Sequence, residues 1–283
     1  DHVRATCGRG RTDRRHAVTA MKHYLGIFAT HPIQYHVPLW RKLAARDDVR
    51  VHVYYASDDS VRGAVDREFG VPVKWDVPLL EGYPYTFLRN VSRRPSVAGG
   101  FWGVNCPEVR GIIARERFDA VLAHGYATYF SWQVFGAAWR HGVVSMIRGD
   151  TREGAGIGRQ RFFEMARSAV LRQLYRRVTV GLAVGAYMRR HFARHGMTPE
   201  RIVDCPHCID TDLFESARQE LAPQREAIRA ELGIPPDGVV LLFSGKLIPR
   251  KQPLLLAAGL AAMRHRDRVW LLVAGDGELR EEA

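Results

Sequence analysis

Short apolar runs alternate with amphipathic stretches along most of this chain. Residues 22–30 read as a buried strand, and 34–45 carry helical periodicity. A second strand is predicted over 51–56. Shorter ones over 73–77 and 85–88 flank a loop rich in Pro and Gly. Helix, strand and helix follow at 108–117, 120–123 and 130–140. A strand at 143–147 then runs into the glycine-rich GDTREGAGIG. Residues 159–177 place Phe162, Phe163, Met165, Ala166, Val170, Leu171, Leu174 and Tyr175 on one broad apolar face. A strand at 180–184, a helix at 186–194 capped by Gly196, and a strand at 202–205 complete this series. Residues 210–224 are polar and carry turn signals. Beyond them lie a helix at 225–232 ending at Gly233, a strand at 239–243, a helix at 254–265 and a strand at 269–274.

Apolar strands alternating with helices predict an α/β fold with parallel sheets built from βαβ units. Two such series in tandem predict two doubly wound domains. The expected organisation is a disordered extension over 1–20, a first domain over 21–207, a crossing over 208–224 and a second domain from 225 to 283. Met21 directly precedes the first strand. Two strands fall short of a whole doubly wound domain, so the second is expected to be incomplete in this sequence.

Composition narrows the partners. Lys and Arg number 42 against 30 Asp and Glu, a net charge of +12 that favours anionic ligands. No basic-region helix, finger-like cysteine spacing or RNA-binding aromatic motif points to nucleic acid. No apolar run approaches the roughly 18 residues that span a bilayer. The four cysteines, Cys7, Cys106, Cys205 and Cys208, do not form a disulfide framework and suit a reducing, cytoplasmic setting. Cys205-Pro-His-Cys208 has the spacing of a redox or zinc pair, but further ligands at finger-like spacing are missing nearby. It reads as an interdomain joint rather than a metal site.

Ligands of open parallel sheets bind beyond the carboxyl ends of the strands. Polar groups follow five predicted strands. These are the loop from His31 to His36 containing Gln34, then His124-Gly-Tyr, then Arg148-Gly-Asp150, then Ser244-Gly245-Lys246 with Arg250 and Lys251, and lastly Gly275-Asp-Gly277. Only five residues of the chain are Lys, and two of them share one loop. Gly245 permits close backbone approach, and Pro253 suits the first turn of a helix whose free N–H groups can face phosphate.

SGKLIPRKQPLLLAAGLA resembles the donor-phosphate loop of family 4 glycosyltransferases, and VAGDGELREEA resembles their next strand and Gly-x-Gly turn. THPIQYHVPLWRKLA is similar to their opening strand, loop and helix, and PERIVDCPHCIDTDLF to their interdomain crossing. The resemblance runs in consistent order from Met21 to Ala283. It implies the GT-B arrangement of two Rossmann-like domains, with a nucleotide-sugar donor on the C-terminal half and a glycan or lipid-linked acceptor on the N-terminal half. It also implies retaining sugar transfer in cell-surface polysaccharide synthesis, without a metal or other cofactor. Lys246 and Lys251 fall where the family places the cations that stabilise the leaving diphosphate, and His124 where it places a residue near the transferred sugar. Gly245, Arg250, Gly275, Gly277, His31 and Gln34 fall on the donor side, and Arg148 and Asp150 on the acceptor side.

The resemblance further implies two Glu eight residues apart beyond the Gly-x-Gly turn. Glu278, Glu281 and Glu282 lack that spacing, so the chain alone is expected to be an inactive fragment. The helix over 159–177 either packs on its own sheet or meets the inner face of a membrane. A GT-B sugar-nucleotide epimerase and a non-catalytic binding protein are the alternative readings.

Overall fold

The computed structural model describes residues 22–63, 77–150 and 160–283. The expected extension over 1–20, most of the expected strand at 73–77 and most of the glycine-rich run after Asp150 lie outside them.

The first series folds into one sheet. Strand β1 (His23–Ala29) leads to α1 (Val37–Ala44), β2 (Val49–Tyr55) and a single helical turn, α2 (Asp59–Arg62). Next come β3 (Tyr85–Phe87), a 3-10 turn over Phe101–Gly103, α3 (Val109–Arg115), β4 (Ala120–His124) and α4 (Tyr129–His141). Strand β5 (Val144–Gly149), α5 (Gln160–Arg177), β6 (Val180–Ala183), α6 (Ala186–Arg194) and β7 (Ile202–Asp204) complete it. The seven strands are parallel, in the order β3-β2-β1-β4-β5-β6-β7. Ile27 on β1 pairs with Val53 on β2 and with Leu122 on β4.

Side chains alternate across each strand, so the central strands feed two cores. Ile27, Ala29, Val53, Tyr55 and Leu122 pack with Trp40 of α1 on one face. Phe28, Tyr54, Val121, Ala123 and Ile147 pack with Phe130, Val134, Leu171 and Phe192 on the other. Each fully buried large apolar side chain contributes about 1.5–3 kcal/mol relative to exposure. The C-terminal half of α5 uses its apolar face in this way, with Leu171, Leu174 and Tyr175 buried, whereas Met165 and Val170 are exposed.

Two expectations need correction. The polar stretch after β7 is mostly helical, forming α7 (Thr211–Leu221) rather than an irregular crossing. Asp210 supplies the cap, its carboxylate accepting the N–H of Leu213 at 3.3 Å. Strand β5 runs through Arg148 and Gly149, so Arg148 belongs to the sheet and not to the loop after it.

Beyond α8 (Arg225–Glu231) lies a second parallel pair, β8 (Val239–Ser244) and β9 (Val269–Ala274), linked through α9 (Pro253–Ala261). Val239, Leu242 and Val273 on these two strands remain exposed.

Candidate active site

The strand order of the large sheet reverses between β1 and β4, and ligands of such sheets settle in the crevice at that switch point. The β1–α1 loop and the β4–α4 loop flank it. The first is pinned by Ser60 Oγ donating to the Pro32 carbonyl at 2.8 Å and by the N–H groups of His36 and Val37 converging on the Ile33 carbonyl. It ends with His36 directly before Val37-Pro38, where the missing proline N–H is harmless to the helix. The second begins at His124, the last residue of β4.

The two loops meet through imidazoles. The His36 and His124 rings lie 4.3 Å apart, and Trp40 closes the floor at 5.8 Å from His124. His207 approaches from the joint after β7, its ring 6.1 Å from His36 and 4.7 Å from Tyr35. Burial, with the nearby charge of Arg148, holds His124 down to about 3. Burial and the neighbouring His124 and Arg148 hold His36 down to about 2. His31 and His207 are lowered in the same direction, chiefly by burial. All four imidazoles are therefore neutral at neutral pH, able to donate from one nitrogen and accept at the other.

Arg148 is the charged centre of this cluster. It is only 1% exposed. Its guanidinium donates to the carbonyls of Cys205 at 3.3 Å and Pro206 at 2.9 Å, so it fastens the Cys205–Cys208 joint to the sheet. Asp150, exposed just beyond β5, lies 3.8 Å from Nε2 of His207. The joint is tied elsewhere as well. Cys205 N–H donates to Ala183 O at 2.7 Å, and Asp210 lies 3.7 Å from the Arg41 guanidinium of α1. The described residues hold no group of three His, Cys, Asp or Glu suited to a metal ion.

Three buried polar atoms of this cluster find no hydrogen-bond partner among the described residues: His36 Nδ1, His124 Nε2 and Arg148 Nη1. Such orphans call for a ligand or water. A fixed guanidinium beside neutral imidazole donors is suited to an oxyanion or to a hydroxyl-rich ring. His31 and His124 lie where the sequence placed them. Gln34 lies in the turn preceding α1, half-buried. His36 and His207 were missed as site residues. Both stood inside quoted motifs, and only the β1–β4 adjacency and the Arg148 anchor bring them together.

The second parallel pair assembles the other predicted loops. Gly245 and Gly275 meet so closely that a Cβ on Gly275 would stand 1.9 Å from the Gly245 carbonyl oxygen. A Cβ on Gly277 would lie 2.5 Å from that of Leu247. Gly245 and Gly277 also adopt φ of +156° and +152°, which side chains disfavour. Hydrogen bonds from Gly245 N–H to Ala274 O at 3.0 Å and from Leu247 N–H to Asp276 O at 2.8 Å zip the two loops together. The glycines thus make one two-loop ledge. Lys246 on it is half-buried, while Arg250 and Lys251 are exposed on the turn that leads into α9.

A parallel seven-stranded sheet with a polar switch point, followed by a second parallel pair with a glycine ledge, is the α/β architecture of GT-B glycosyltransferases. The glycosyltransferase of Rickettsia africae matches with a TM-score of 0.58 at 16% identity, over 92% of this chain and 62% of that one. Anabaena HepE in complex with UDP matches with a TM-score of 0.56 at 16% identity, over 92% and 63%. The chain belongs to Glycosyltransferase Family 4, whose model matches residues 35–213. The D-inositol 3-phosphate glycosyltransferase of Kineococcus radiotolerans is 32% identical over 162 residues, 56% of this chain and 31% of that protein. That of Saccharomonospora viridis is 46% identical over 56 residues, 18% of this chain and 13% of that protein. The match spans about a third of the Kineococcus protein's length.

Proposed function

We propose that this chain belongs to an enzyme that moves a sugar from a nucleotide-sugar donor to a glycan or lipid-linked acceptor with retention of anomeric configuration, in cell-surface polysaccharide synthesis at the cytoplasmic side of the membrane, and that the chain alone is inactive. In that reaction the bond from the anomeric carbon to the diphosphate breaks, and a bond from the same carbon to an acceptor hydroxyl oxygen forms. The hydroxyl proton passes to the departing phosphate. Charge accumulates on the leaving diphosphate, so preorganised cations lower the barrier without a metal. Lys246 and Lys251 are assigned that role. Gly245, Gly275 and Gly277 let the backbone approach the phosphates, and Arg250 extends the positive edge. His124, neutral and with Nε2 unengaged by the described residues, is assigned to the transferred sugar. His31 and Gln34 stand on the donor side, and Asp150 on the acceptor side. Arg148 supports that side indirectly, through the joint that it holds.

The observation that carries this reading is the glycine ledge at the carboxyl end of a parallel strand pair, with Lys246 on it and Lys251 two residues before α9. HepE is seen with UDP in its crystals, which makes UDP the first nucleotide to try. The test is titration calorimetry of UDP, GDP and ADP into the intact chain and its Lys251→Ala variant. One nucleoside diphosphate should bind with saturation, and the variant should bind at least about tenfold more weakly, the loss of one charged hydrogen bond. Equal affinity of the two proteins would remove Lys251 from the donor site. The absence of any saturable binding would count against a donor site on this ledge.

A further inference from the structure

The loop between β3 and α3 displays aromatic rings to solvent. Trp102 is 69% exposed and Phe101 is 39% exposed. They are not loose. The Trp102 ring lies 4.9 Å from Phe101 and 5.0 Å from Tyr129, the first residue of α4.

The loop beneath them is fixed by many hydrogen bonds. Val91 N–H donates to Asn105 O at 2.8 Å, and Ser96 N–H to Gly103 O at 3.0 Å. Asn90 Oδ1 accepts from both Ser92 N–H and Asn105 N–H at 3.0 Å. Ser92 Oγ donates to Trp102 O at 2.8 Å. The buried amide of Gln133 donates to Asn105 Oδ1 at 2.9 Å and accepts from Cys106 N–H at 3.0 Å, tying the loop to α4. A loop this well determined that still exposes an indole is built to present it.

The surroundings specify a ligand. Trp102 lines a cavity of about 510 Å³ together with Ser92, Arg93, Arg94 and Asn105. Tyr129 itself lines a second cavity of about 470 Å³, together with Arg110, Trp132 and Arg140 among others. Both volumes are in the usual range for small-molecule sites. Among the described residues, none of these four arginines has a carboxylate partner. The loop follows β3, and Tyr129 lies five residues beyond His124, so the shelf stands at the carboxyl edge of the sheet.

We propose that the Trp102–Tyr129 shelf binds a saccharide bearing a phosphate or carboxylate. A sugar ring offers an apolar face to the indole and hydroxyls to Ser92 and Asn105. The guanidinium of Arg93 or Arg94 forms a bidentate pair with its anionic group. The concave setting, which puts Ser92, Asn105 and two arginines around the indole, favours a sugar over a membrane surface, which would meet a protruding apolar face. The ligand's role as acceptor rests on the transferase reading, whereas binding itself does not.

The experiment is saturation-transfer NMR and calorimetry on the full chain with glucose 6-phosphate, a glucuronic-acid disaccharide and neutral maltose. Vesicles of phosphatidylglycerol serve as the lipid arm, and UDP binding is measured in the same preparations. An anionic saccharide should bind at least tenfold more tightly than maltose. Trp102→Ala should weaken it at least tenfold, with UDP binding unchanged. The double variant Arg93→Ala, Arg94→Ala should erase the preference for the anionic sugar while keeping a folded circular dichroism spectrum. The proposal is overturned by saccharide affinity unchanged in Trp102→Ala, by no saturable saccharide binding, or by Trp102-dependent binding to vesicles alone. Loss of UDP binding with saccharide binding intact would sink the transferase reading and leave the shelf standing.

Discussion

Lowering the pH should destabilise the large sheet through its buried histidines, and the size follows from their environment. His36 is held down to about 2 by burial and by His124, Arg148, His207 and His31, and His124 to about 3 by burial with Arg148 and His207. In the unfolded chain both return to about 6.5. Above that value neither state binds the proton, and the two sites have no effect on pH dependence. As the pH falls below it the unfolded chain takes up protons that the folded chain refuses, so stability is lost. Between about pH 7.5 and pH 5 each site removes about 2 kcal/mol, and the pair about 4 kcal/mol. Urea unfolding at the two pH values, followed by far-ultraviolet circular dichroism, reads the total. Because His31 and His207 act in the same direction, the His36→Phe variant isolates one site and should shrink the pH-dependent loss by about 2 kcal/mol. Imidazole proton resonances supply the direct check. A folded-state midpoint near 6.5 for either His36 or His124 would refute the reasoning, whatever the unfolding curves show.

Two further substitutions probe the site's supports. Arg148→Met removes the charged donors from the carbonyls of Cys205 and Pro206, and should cost about 2–3 kcal/mol in urea unfolding, with faster amide exchange over residues 205–210. The same change withdraws the nearest positive charge from His124, so its imidazole should titrate at a higher pH than in the parent, though still below the ordinary value because burial persists. Gly275→Ala places a methyl group 1.9 Å from Gly245 O and should part the two loops. The expected result is loss of UDP binding with the large sheet's stability unchanged. Retained binding would mean that the ledge is not the nucleotide site.

Where the fold was legible, one period dominated the local pattern. The run 186–194 coincides with α6 because Met188 and Phe192 recur there at helical spacing, and 269–274 with β9 because six apolar residues follow one another without a break. Where it was not, long-range contacts decided. Helix α7 was legible in part: Leu213, Phe214, Ala217 and Leu221 recur at helical spacing behind the capping Asp210, but the polar residues between them give the stretch the composition of a crossing loop, and Leu213 and Phe214 stay exposed in the fold. Strand β5 was ended too early because an arginine inside a buried parallel strand is unfavourable until a partner is known, and the partners of Arg148 lie at Cys205 and Pro206.

The candidate site divides along the same line. His31, His124 and the Lys246–Lys251 loop could be named because chain order alone puts them after strands, and parallel sheets use that end. That His36 rather than Gln34 faces His124 depends on β1 and β4 being neighbours, a fact of strand order that no local pattern encodes. The same holds for Trp102. Its display depends on Asn90 and Asn105, at the two ends of one loop, and on Gln133 of α4, three amides that recognise one another only in the folded chain. Chemistry-bearing residues at strand ends are therefore readable one at a time, whereas their pairing, which sets each pKa and each orphaned donor, is a property of the assembled switch point.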